Sequence, residues 1–305
     1  MAIAIVPFDA GLGADIRGLD LSAEVSATDA ALLRQAWCNH LVLRLREQPI
    51  TDHQHMSFSR IFGEIELTPA GVLARDYGVD NGGGRAGSLP PQITVVSNVV
   101  EDGKVIGDLG DGELEWHTDA SFLETPPHGS ALRALEIPPA GGETGFINMY
   151  SAFDGLPAPL KRKALDINLL HSRLKSSDGI VRRGFENFAI TDPSQVPGAV
   201  HPAVRTHPDS GKKVLYLGRR QDAYVMGMSH SESKALLNEI WAHAVQEQFT
   251  WHQEWRLGDL VIWDNRCTMH RRNAFDPGMR RRMHRTQIVS KRVAVFAPQM
   301  PIGCR

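Results

Sequence analysis

The chain has 305 residues, of which 42% are hydrophobic and 22% charged, and its formal net charge is -2. This balance is typical of a globular protein and gives no excess of positive charge for binding nucleic acid or an anionic membrane. The apolar stretches are short and the first residues lack a basic start, so neither a membrane span nor a signal peptide is expected. Three cysteines, Cys38, Cys267 and Cys304, are few and odd in number, which favours a reducing cytoplasm over a disulfide framework.

The first sixty residues predict two helices with a strand between them. Thr28 is the expected N-cap of a helix over 29–38, and Thr51 is the expected N-cap of a second helix over 52–62. The segment 41–46 between them alternates apolar and polar residues and is short, which is typical of a strand.

Beyond the second helix, the segment 71–91 is rich in Gly, Asp, Asn and Pro and predicts a long surface loop of the kind that is usually functional or disordered. From residue 92 onward, short apolar runs separated by turn signals indicate an antiparallel β sandwich or barrel. One helix, capped by Ser229 or Ser231, is expected to interrupt the strands. We therefore expect a single domain over 1–305, mainly β with flanking helices. The predicted strands cover 93–100, 131–137, 145–149, 213–217, 259–263 and 282–290.

Three residues form a candidate metal site. His117 and Asp119 are two positions apart, so on a strand their side chains point to the same face. His270 follows the predicted strand 259–263 and supplies a third ligand; two histidines and one carboxylate with open positions are typical of non-haem iron oxygenases. Spacing alone does not single out a metal site, because the same tripeptide pattern recurs at His207 and Asp209. There the neighbouring Pro and Gly predict a hairpin turn instead.

Four segments around these candidates have a combined pattern: WHTDASFLETPP at 116–127, GGET at 141–144, WDNRCTMH at 263–270 and RRRMHR at 280–285. Together they resemble the taurine dioxygenase/2,4-dichlorophenoxyacetate dioxygenase family of iron(II)- and 2-oxoglutarate-dependent dioxygenases. The opening segment 12–21 and the segment 201–217 are also similar to the family. The likeness follows the family's order through nearly the whole chain.

The resemblance implies specific roles. His117, Asp119 and His270 match the iron(II) ligands, Thr144 matches a residue that touches 2-oxoglutarate, and Arg281 matches the arginine that binds its distal carboxylate. The resemblance also implies a double-stranded β-helix (jelly-roll) core, O2 as the oxidant, and conversion of 2-oxoglutarate to succinate and carbon dioxide as the substrate is hydroxylated. Relatives often form homodimers or tetramers, so a homo-oligomer is expected.

Two arginines of the last predicted strand share one face. By the resemblance, Arg285 matches an arginine that faces the acidic group of the primary substrate. Arg281 and Arg285 are four residues apart, about 13 Å at roughly 3.3 Å per residue. A guanidinium fits a carboxylate bidentately and stays charged when buried, so one arginine can hold the co-substrate while the other serves a second anion. Arg280 and Arg282 then face the other way. By composition alone, the segment 271–292 also fits a solvated basic surface or a nucleic-acid patch.

The substrate side departs from the taurine pattern. Thr68 and Gly71 stand where taurine enzymes carry a histidine and a tyrosine, so taurine is not the expected substrate. A small anionic compound is expected, either a sulfonate, an aryloxyalkanoate or another carboxylate, in a pocket shaped by 71–91 and 185–188. Two other functions fit the three ligands alone: a zinc hydrolase and a non-enzymatic binding module. Thr144 and Arg281 argue against the hydrolase, and the binding module predicts that the three ligands are dispensable.

Neighbours of the ligands have expected supporting roles. Trp116 and Trp263 flank the ligands in the sequence and are candidates to shield the metal, although aromatic residues beside strands are more often core. Asp264 and Asn265 are candidates to orient His270 by hydrogen bonding.

Overall fold

The computed structural model describes residues 3–68, 89–182 and 184–289. Strands predominate and helices are few, which confirms the expected mainly β composition. Within the described ranges, no helix has both the length and the apolar character needed to cross a membrane. The strands are β1 (Ala4–Pro7), β2 (Ala14–Arg17), β3 (Val42–Leu45), β4 (Glu64–Ile65), β5 (Thr94–Ser97), β6 (Val100–Glu101), β7 (Lys104–Val105), β8 (Asp108–Leu109), β9 (Leu114–His117), β10 (Gly129–Glu136), β11 (Thr144–Asn148), β12 (Asn168–Ser172), β13 (Gly198–Pro202), β14 (Val204–Thr206), β15 (Lys213–Leu215), β16 (Tyr224–Val225), β17 (Thr250–Gln253), β18 (Leu260–Asp264), β19 (Thr268–Arg272) and β20 (Arg282–Val289).

Two sheets carry the candidate site residues. The larger has nine strands in the order β1-β2-β3-β18-β10-β20-β5-β8, with β4 also pairing with β20. Its pairs are antiparallel except β2 with β3 and β5 with β8. The smaller has four strands in the order β17-β11-β19-β9, all antiparallel. The six strand segments predicted after residue 92 all correspond to strands of the structure, shifted by a few residues at their ends.

The two sheets pack face to face. Trp263 in β18 of the large sheet and Phe146 in β11 of the small sheet have ring centroids 5.5 Å apart. Every residue of both strands is buried, and this explains why β18 has a continuous apolar run instead of an alternating pattern. A polar residue between the sheets is therefore removed from water and needs a partner.

Five α-helices of the described residues lie outside these sheets. The third predicted helix is confirmed with Ser229 as its N-cap, and Thr51 caps the second in a capping box with Gln54. The cap predicted for the first helix is wrong: the helix begins at Ala27 and is capped by Ser26, whose hydroxyl accepts a hydrogen bond from the Asp29 N–H. The helices are α1 (Ala27–His40), α2 (Asp52–Arg60), α3 (Met149–Asp154), α4 (Ala158–Leu165) and α5 (His230–Ala244).

The expectation that a single helix interrupts the strands after residue 92 is also wrong. Both α3 and α4 lie in that part of the chain, with six and eight residues. Asn148 caps α3 by accepting hydrogen bonds from two backbone N–H groups of its first turn. Helices this short span too few turns to produce a recognisable apolar period. The predicted loop 71–91 lies outside the described residues as far as residue 88.

Candidate active site

The structure brings the three candidate metal ligands together. His117 is the last residue of β9, Asp119 follows two residues later, and His270 lies at the centre of β19, directly opposite His117. Asp119 Oδ1 lies 3.8 Å from His117 Nε2 and 3.9 Å from His270 Nε2. One ion bonded to each ligand at about 2.1 Å can bridge such separations, which extend to roughly 4.2 Å. All three side chains are buried.

The protonation of these groups suits a divalent cation. The Nδ1–H of His117 donates to the Glu115 carbonyl at 2.7 Å, which leaves its Nε2 lone pair facing the triad. Burial lowers the pKa of His117 well below its usual value and that of His270 to about 4, so both rings are neutral. Burial raises the pKa of Asp119, but the positive charge of Arg285 and the other groups around the carboxylate, among them the Ser130 hydroxyl, together outweigh this and hold the pKa below its usual range. Two neutral imidazoles and one carboxylate result, the donor set that iron(II) accepts.

A chain of hydrogen bonds from the large sheet holds Asp119. The indole N–H of Trp263 donates to Asn265 Oδ1 at 2.8 Å, and Asn265 Nδ2 donates to Ser130 Oγ at 3.2 Å. The Ser130 hydroxyl donates to Asp119 Oδ2 at 2.9 Å, while Arg285 donates to Oδ1 at 3.1 Å. The supporting role expected for Asn265 therefore acts on the aspartate ligand and not on a histidine.

Of the other residues expected to support the ligands, Trp263 contacts His270, whereas Trp116 and Asp264 do not. The Trp263 ring lies 4.8 Å from the His270 ring and covers it from the large sheet. Trp116 points away from the triad, as its place next to His117 on a strand requires, and its ring lies 4.9 Å from the Arg271 guanidinium. The expected contact of Asp264 with His270 is wrong, because the Asp264 carboxylate instead pairs with a histidine and an arginine outside the triad.

The second histidine–aspartate tripeptide forms a turn, as predicted. His207 starts the connection between β14 and β15, and its Nδ1 accepts hydrogen bonds from the backbone N–H groups of Asp209 and Ser210. Its Nε2 donates to Asp264 at 3.1 Å. With Cys267, His207 and Asp264 form a second group close enough for a shared ion. Both histidine nitrogens and the carboxylate already have hydrogen-bonding partners, so we assign this cluster a structural role.

A pocket for an anion lies beside Thr144. Thr144 begins β11 and is buried; its hydroxyl accepts a hydrogen bond from the Trp255 indole N–H at 3.0 Å, so its own proton is free to donate. Arg281 packs on Gly142: a Cβ added at this glycine would lie 3.3 Å from Arg281 Nε, a tight contact, and the φ of +71° also favours glycine. The residues Gly142, Trp255 and Arg281 line a cavity of about 200 Å³.

Arg281 enters this pocket without a compensating carboxylate. Only 2% of its surface is exposed, and the one acceptor of its guanidinium within the described part of the chain is the Gly142 carbonyl at 3.5 Å. Burial, followed by the charge of Arg272, lowers the pKa of Arg281 to about 9. A buried cation without a counter-ion is costly, and an acidic ligand removes that cost.

The neighbours of Arg281 show the predicted alternation. Arg280 and Arg282 face outward and form ion pairs with Glu101 and Glu136. The outward residues of this basic segment are thus neutralised at the surface, and Arg281 is the member that turns inward.

Arg272 is a buried arginine that the sequence did not single out. It ends β19, opposite Thr144, and only 3% of its surface is exposed. One guanidinium nitrogen donates to the carbonyls of Leu109, at 2.8 Å, and Gly112. The Nε and the second amine are buried and have no hydrogen-bonding partner among the described residues. The sequence offers one signal for it, a charged residue two positions beyond His270 and so on the same face of the strand, whereas its pairing with Thr144 is visible only in the structure.

The three candidate ligands, on the inner face of two packed sheets, form the donor set of non-haem iron oxygenases. An enzyme of that class with an acidic co-substrate also needs a cationic pocket such as the one beside Thr144. Comparison with known sequences agrees. The profile of the family described as "Taurine catabolism dioxygenase TauD, TfdA family" matches residues 4–287. The chain belongs to this family, and it is an iron(II)- and 2-oxoglutarate-dependent dioxygenase that uses O2. Family membership rules out the zinc hydrolase and the non-enzymatic module.

Individual relatives support the assignment along nearly their full lengths. The chain is 30% identical to the alpha-ketoglutarate-dependent 2,4-dichlorophenoxyacetate dioxygenase of Cupriavidus pinatubonensis, over 93% of this chain and 97% of the relative. It is 30% identical to pentalenolactone F synthase of Streptomyces arenae, over 95% of each chain. The crystal structure of AAD-2 in complex with Mn(II) and N-oxalylglycine superposes with a TM-score of 0.75 at 30% identity, covering 96% of this chain and 99% of that one.

Proposed function

We propose that His117, Asp119 and His270 hold the iron(II), and that Thr144 and Arg281 bind the distal carboxylate of 2-oxoglutarate. The observation that carries this proposal is the buried Arg281, which has no carboxylate partner and lies next to the free hydroxyl proton of Thr144. A hydrolytic metal site has no use for such a pocket. A co-substrate with two carboxylates fits both the metal and the cation.

The residues around the proposed iron site fix the positions of its ligands and exclude water. Iron(II), with 2-oxoglutarate and O2, supplies the oxidising power for hydroxylating a C–H bond while 2-oxoglutarate leaves as succinate and carbon dioxide. The hydrogen bond from His117 to the Glu115 carbonyl keeps the correct nitrogen free for the metal. Ser130 and Arg285 fix the Asp119 carboxylate. The Trp263 ring excludes water from the His270 side.

We further propose that the substrate is a small organic anion and that Arg285 contacts its acidic group. One amine of Arg285 is bound to Asp119, but its Nε is buried without a partner in the described ranges, so donors remain. The relative from Cupriavidus pinatubonensis is named for an aryloxyalkanoate, which is such an anion. Taurine is not favoured: Thr68 is buried where a taurine enzyme has a histidine, and Gly71 lies outside the described residues.

Three expectations about the whole chain remain proposals: one domain over 1–305 with a jelly-roll core, location in the cytoplasm, and assembly into a homodimer or tetramer. The two facing sheets support the first. The second is supported by Cys38 and Cys267, neither of which forms a disulfide. Light scattering on the purified protein gives the assembled mass and tests the third.

The substrate class is tested by succinate release. Purified protein with iron(II), ascorbate and 2-oxoglutarate is screened with aryloxyalkanoates, alkylsulfonates and amino-acid-like acids, each against its neutral ester or amide. We expect at least one acid to stimulate succinate formation and its neutral analogue to do so much less. Stimulation by neutral compounds at the same level as by the acids would contradict an anionic substrate.

A further inference from the structure

Arg272 shares the inner face of β19 with a proposed metal ligand. Side chains two positions apart on a strand point the same way, so Arg272 follows His270 on that face, about 7 Å further along. The antiparallel register pairs Arg272 with Thr144 and His270 with Phe146 on the adjacent strand. Arg272 therefore stands next to the threonine proposed to touch the co-substrate, on the same side of the sheet.

Two buried cations lie near each other at this position, and the carboxylates whose charges favour Arg272, Asp111 and Asp178, form no ion pair with it. Arg272 and Arg281 are each at most 3% exposed, and no carboxylate of residues 3–68, 89–182 or 184–289 hydrogen-bonds to either guanidinium. The two cations are close enough for Arg272 to lower the pKa of Arg281. Two buried like charges destabilise the folded chain unless an anion lies between them.

We propose that Arg272 is a second guanidinium ligand of the co-substrate's distal carboxylate, which is held between Arg272 and Arg281. This inference rests on the proposed function. Each carboxylate oxygen accepts two hydrogen bonds, enough for Arg281, the Thr144 hydroxyl and the unpartnered amine of Arg272. The pair of arginines selects 2-oxo acids that carry a second carboxylate over those that do not.

A purely structural role makes a different prediction. One nitrogen of Arg272 donates to the carbonyls of Leu109 and Gly112 and so stabilises the position of the segment between β8 and β9. If this were its whole task, a substitution would lower stability and weaken every ligand of the metal site alike. The second amine and Nε, buried with no partner among the described residues, would then have no function.

The test uses a matched pair of ligands on the manganese-loaded protein. N-oxalylglycine carries the distal carboxylate, and N-methyloxamate has a methyl group in place of the carboxymethyl group but keeps the metal-binding end. Dissociation constants are measured by isothermal titration, with N-methyloxamate assayed as a millimolar competitor. The variant is Arg272→Met, of similar length and uncharged. The control is Arg271→Met, the next residue on the same strand, which faces outward over Trp116 and pairs with Glu113.

We expect Arg272→Met to weaken N-oxalylglycine binding by about tenfold or more, as for loss of a hydrogen bond between charged groups. Binding of N-methyloxamate should stay within about twofold, and Arg271→Met should change neither constant. If the methionine variant does not fold, as judged by circular dichroism, Arg272→Lys is used. Lysine keeps the charge and loses the planar fork, so it should weaken the dicarboxylate selectively but less.

The outcomes distinguish the role of Arg272 from the proposed function of the whole site. Equal weakening of both ligands, or of neither, overturns the assignment of Arg272 and leaves the proposed function intact. Failure of the unsubstituted protein to bind N-oxalylglycine in the presence of manganese overturns the proposed function itself.

A double substitution gives an independent check. If Arg272 and Arg281 bind one carboxylate, replacing both with methionine should weaken N-oxalylglycine by a factor different from the product of the two single effects. Additive effects would show that the two arginines act on separate groups.

Discussion

The Asp119 carboxylate is held at both oxygens by residues of the opposite sheet, Ser130 and Arg285. We predict that Ser130→Ala weakens manganese binding by about tenfold, because hydrogen bonds to metal ligands contribute about 10–100-fold to affinity. The measurement is a titration of the metal-free protein in competition with a chelator. Ser194→Ala is the control, since that residue is partly exposed and its hydroxyl bonds, among the described residues, to Asp192 and Gln195. Unchanged affinity in Ser130→Ala would show that the arginine alone positions the carboxylate.

Trp255 contacts Thr144, the residue proposed to bind the co-substrate. Its indole N–H occupies one acceptor position of the threonine hydroxyl and so directs the proton away from the tryptophan. Trp255→Phe keeps most of the ring and removes the donor. We expect N-oxalylglycine binding to weaken by about fivefold, the effect of one neutral hydrogen bond, and manganese binding to be unchanged. Trp116→Phe, on the outward face of β9, should alter neither; equal losses in the two variants would refute the positioning role.

The sequence identified the site residues that lie in recognisable motifs and did not identify the site residues that lie outside them. His117, Asp119, His270 and Arg281 occur in segments with recognisable spacing, and the structure brings the three candidate metal ligands together and turns Arg281 inward. Ser130 and Arg272 lie in β10 and β19, Trp255 follows β17, and none of the three belongs to a recognised motif. Their partners are fixed by which strands pair and in which register, and one sequence does not contain that information.

At the scale of single elements, α1 shows two competing caps. Ser26 and Thr28 both precede the apolar residues of the helix, and the structure selects Ser26, whose hydroxyl bonds to Asp29 in both directions. We predict that Ser26→Ala lowers the free energy of unfolding by about 1 kcal/mol. Thr28→Ala, at an exposed position inside the helix, should change it by less than about 0.5 kcal/mol. Urea unfolding of both variants checks the order, and a larger loss in Thr28→Ala would contradict the assigned cap.

Whether a helix or strand could be predicted from the sequence depended on its length and on its burial. Capped helices such as α2 and α5 and the long strand β20 carried clear sequence signals, and the structure confirms them. The short helices α3 and α4 did not. Strands buried on both faces, such as β18, were recognised by their apolar runs, but those runs contain no alternation that assigns each residue to one face.

At the scale of the whole molecule, burial of histidines makes stability depend on pH. His55 is fully buried at the contact of α2 with the large sheet, and burial lowers its pKa to about 3. The unfolded chain, with a histidine pKa near 6.5, binds the proton first as pH falls. The stabilisation is therefore complete above about pH 6.5 and is lost progressively towards pH 3.

We predict that His55 accounts for about 2 kcal/mol of the stability lost between pH 7 and pH 5, at about 1.36 kcal/mol for each pKa unit. Urea unfolding at the two pH values measures this difference. His55→Gln should reduce the difference by that amount, whatever its effect on absolute stability. His230→Gln, at an exposed position at the start of α5, is the control and should keep the wild-type difference. An undiminished difference in His55→Gln would contradict the assignment.

Every role proposed for the site residues depends on metal binding by His117, Asp119 and His270. Metal-dependent binding of N-oxalylglycine tests this triad most directly. The two tripeptides provide a matched pair of variants, Asp119→Asn and Asp209→Asn; Asp209 is half-exposed and pairs with Arg266. We predict that the unsubstituted protein and Asp209→Asn bind N-oxalylglycine only when manganese is present, whereas Asp119→Asn loses both the metal and the ligand. Binding that does not require metal, or that survives in Asp119→Asn and fails in Asp209→Asn, would contradict the account.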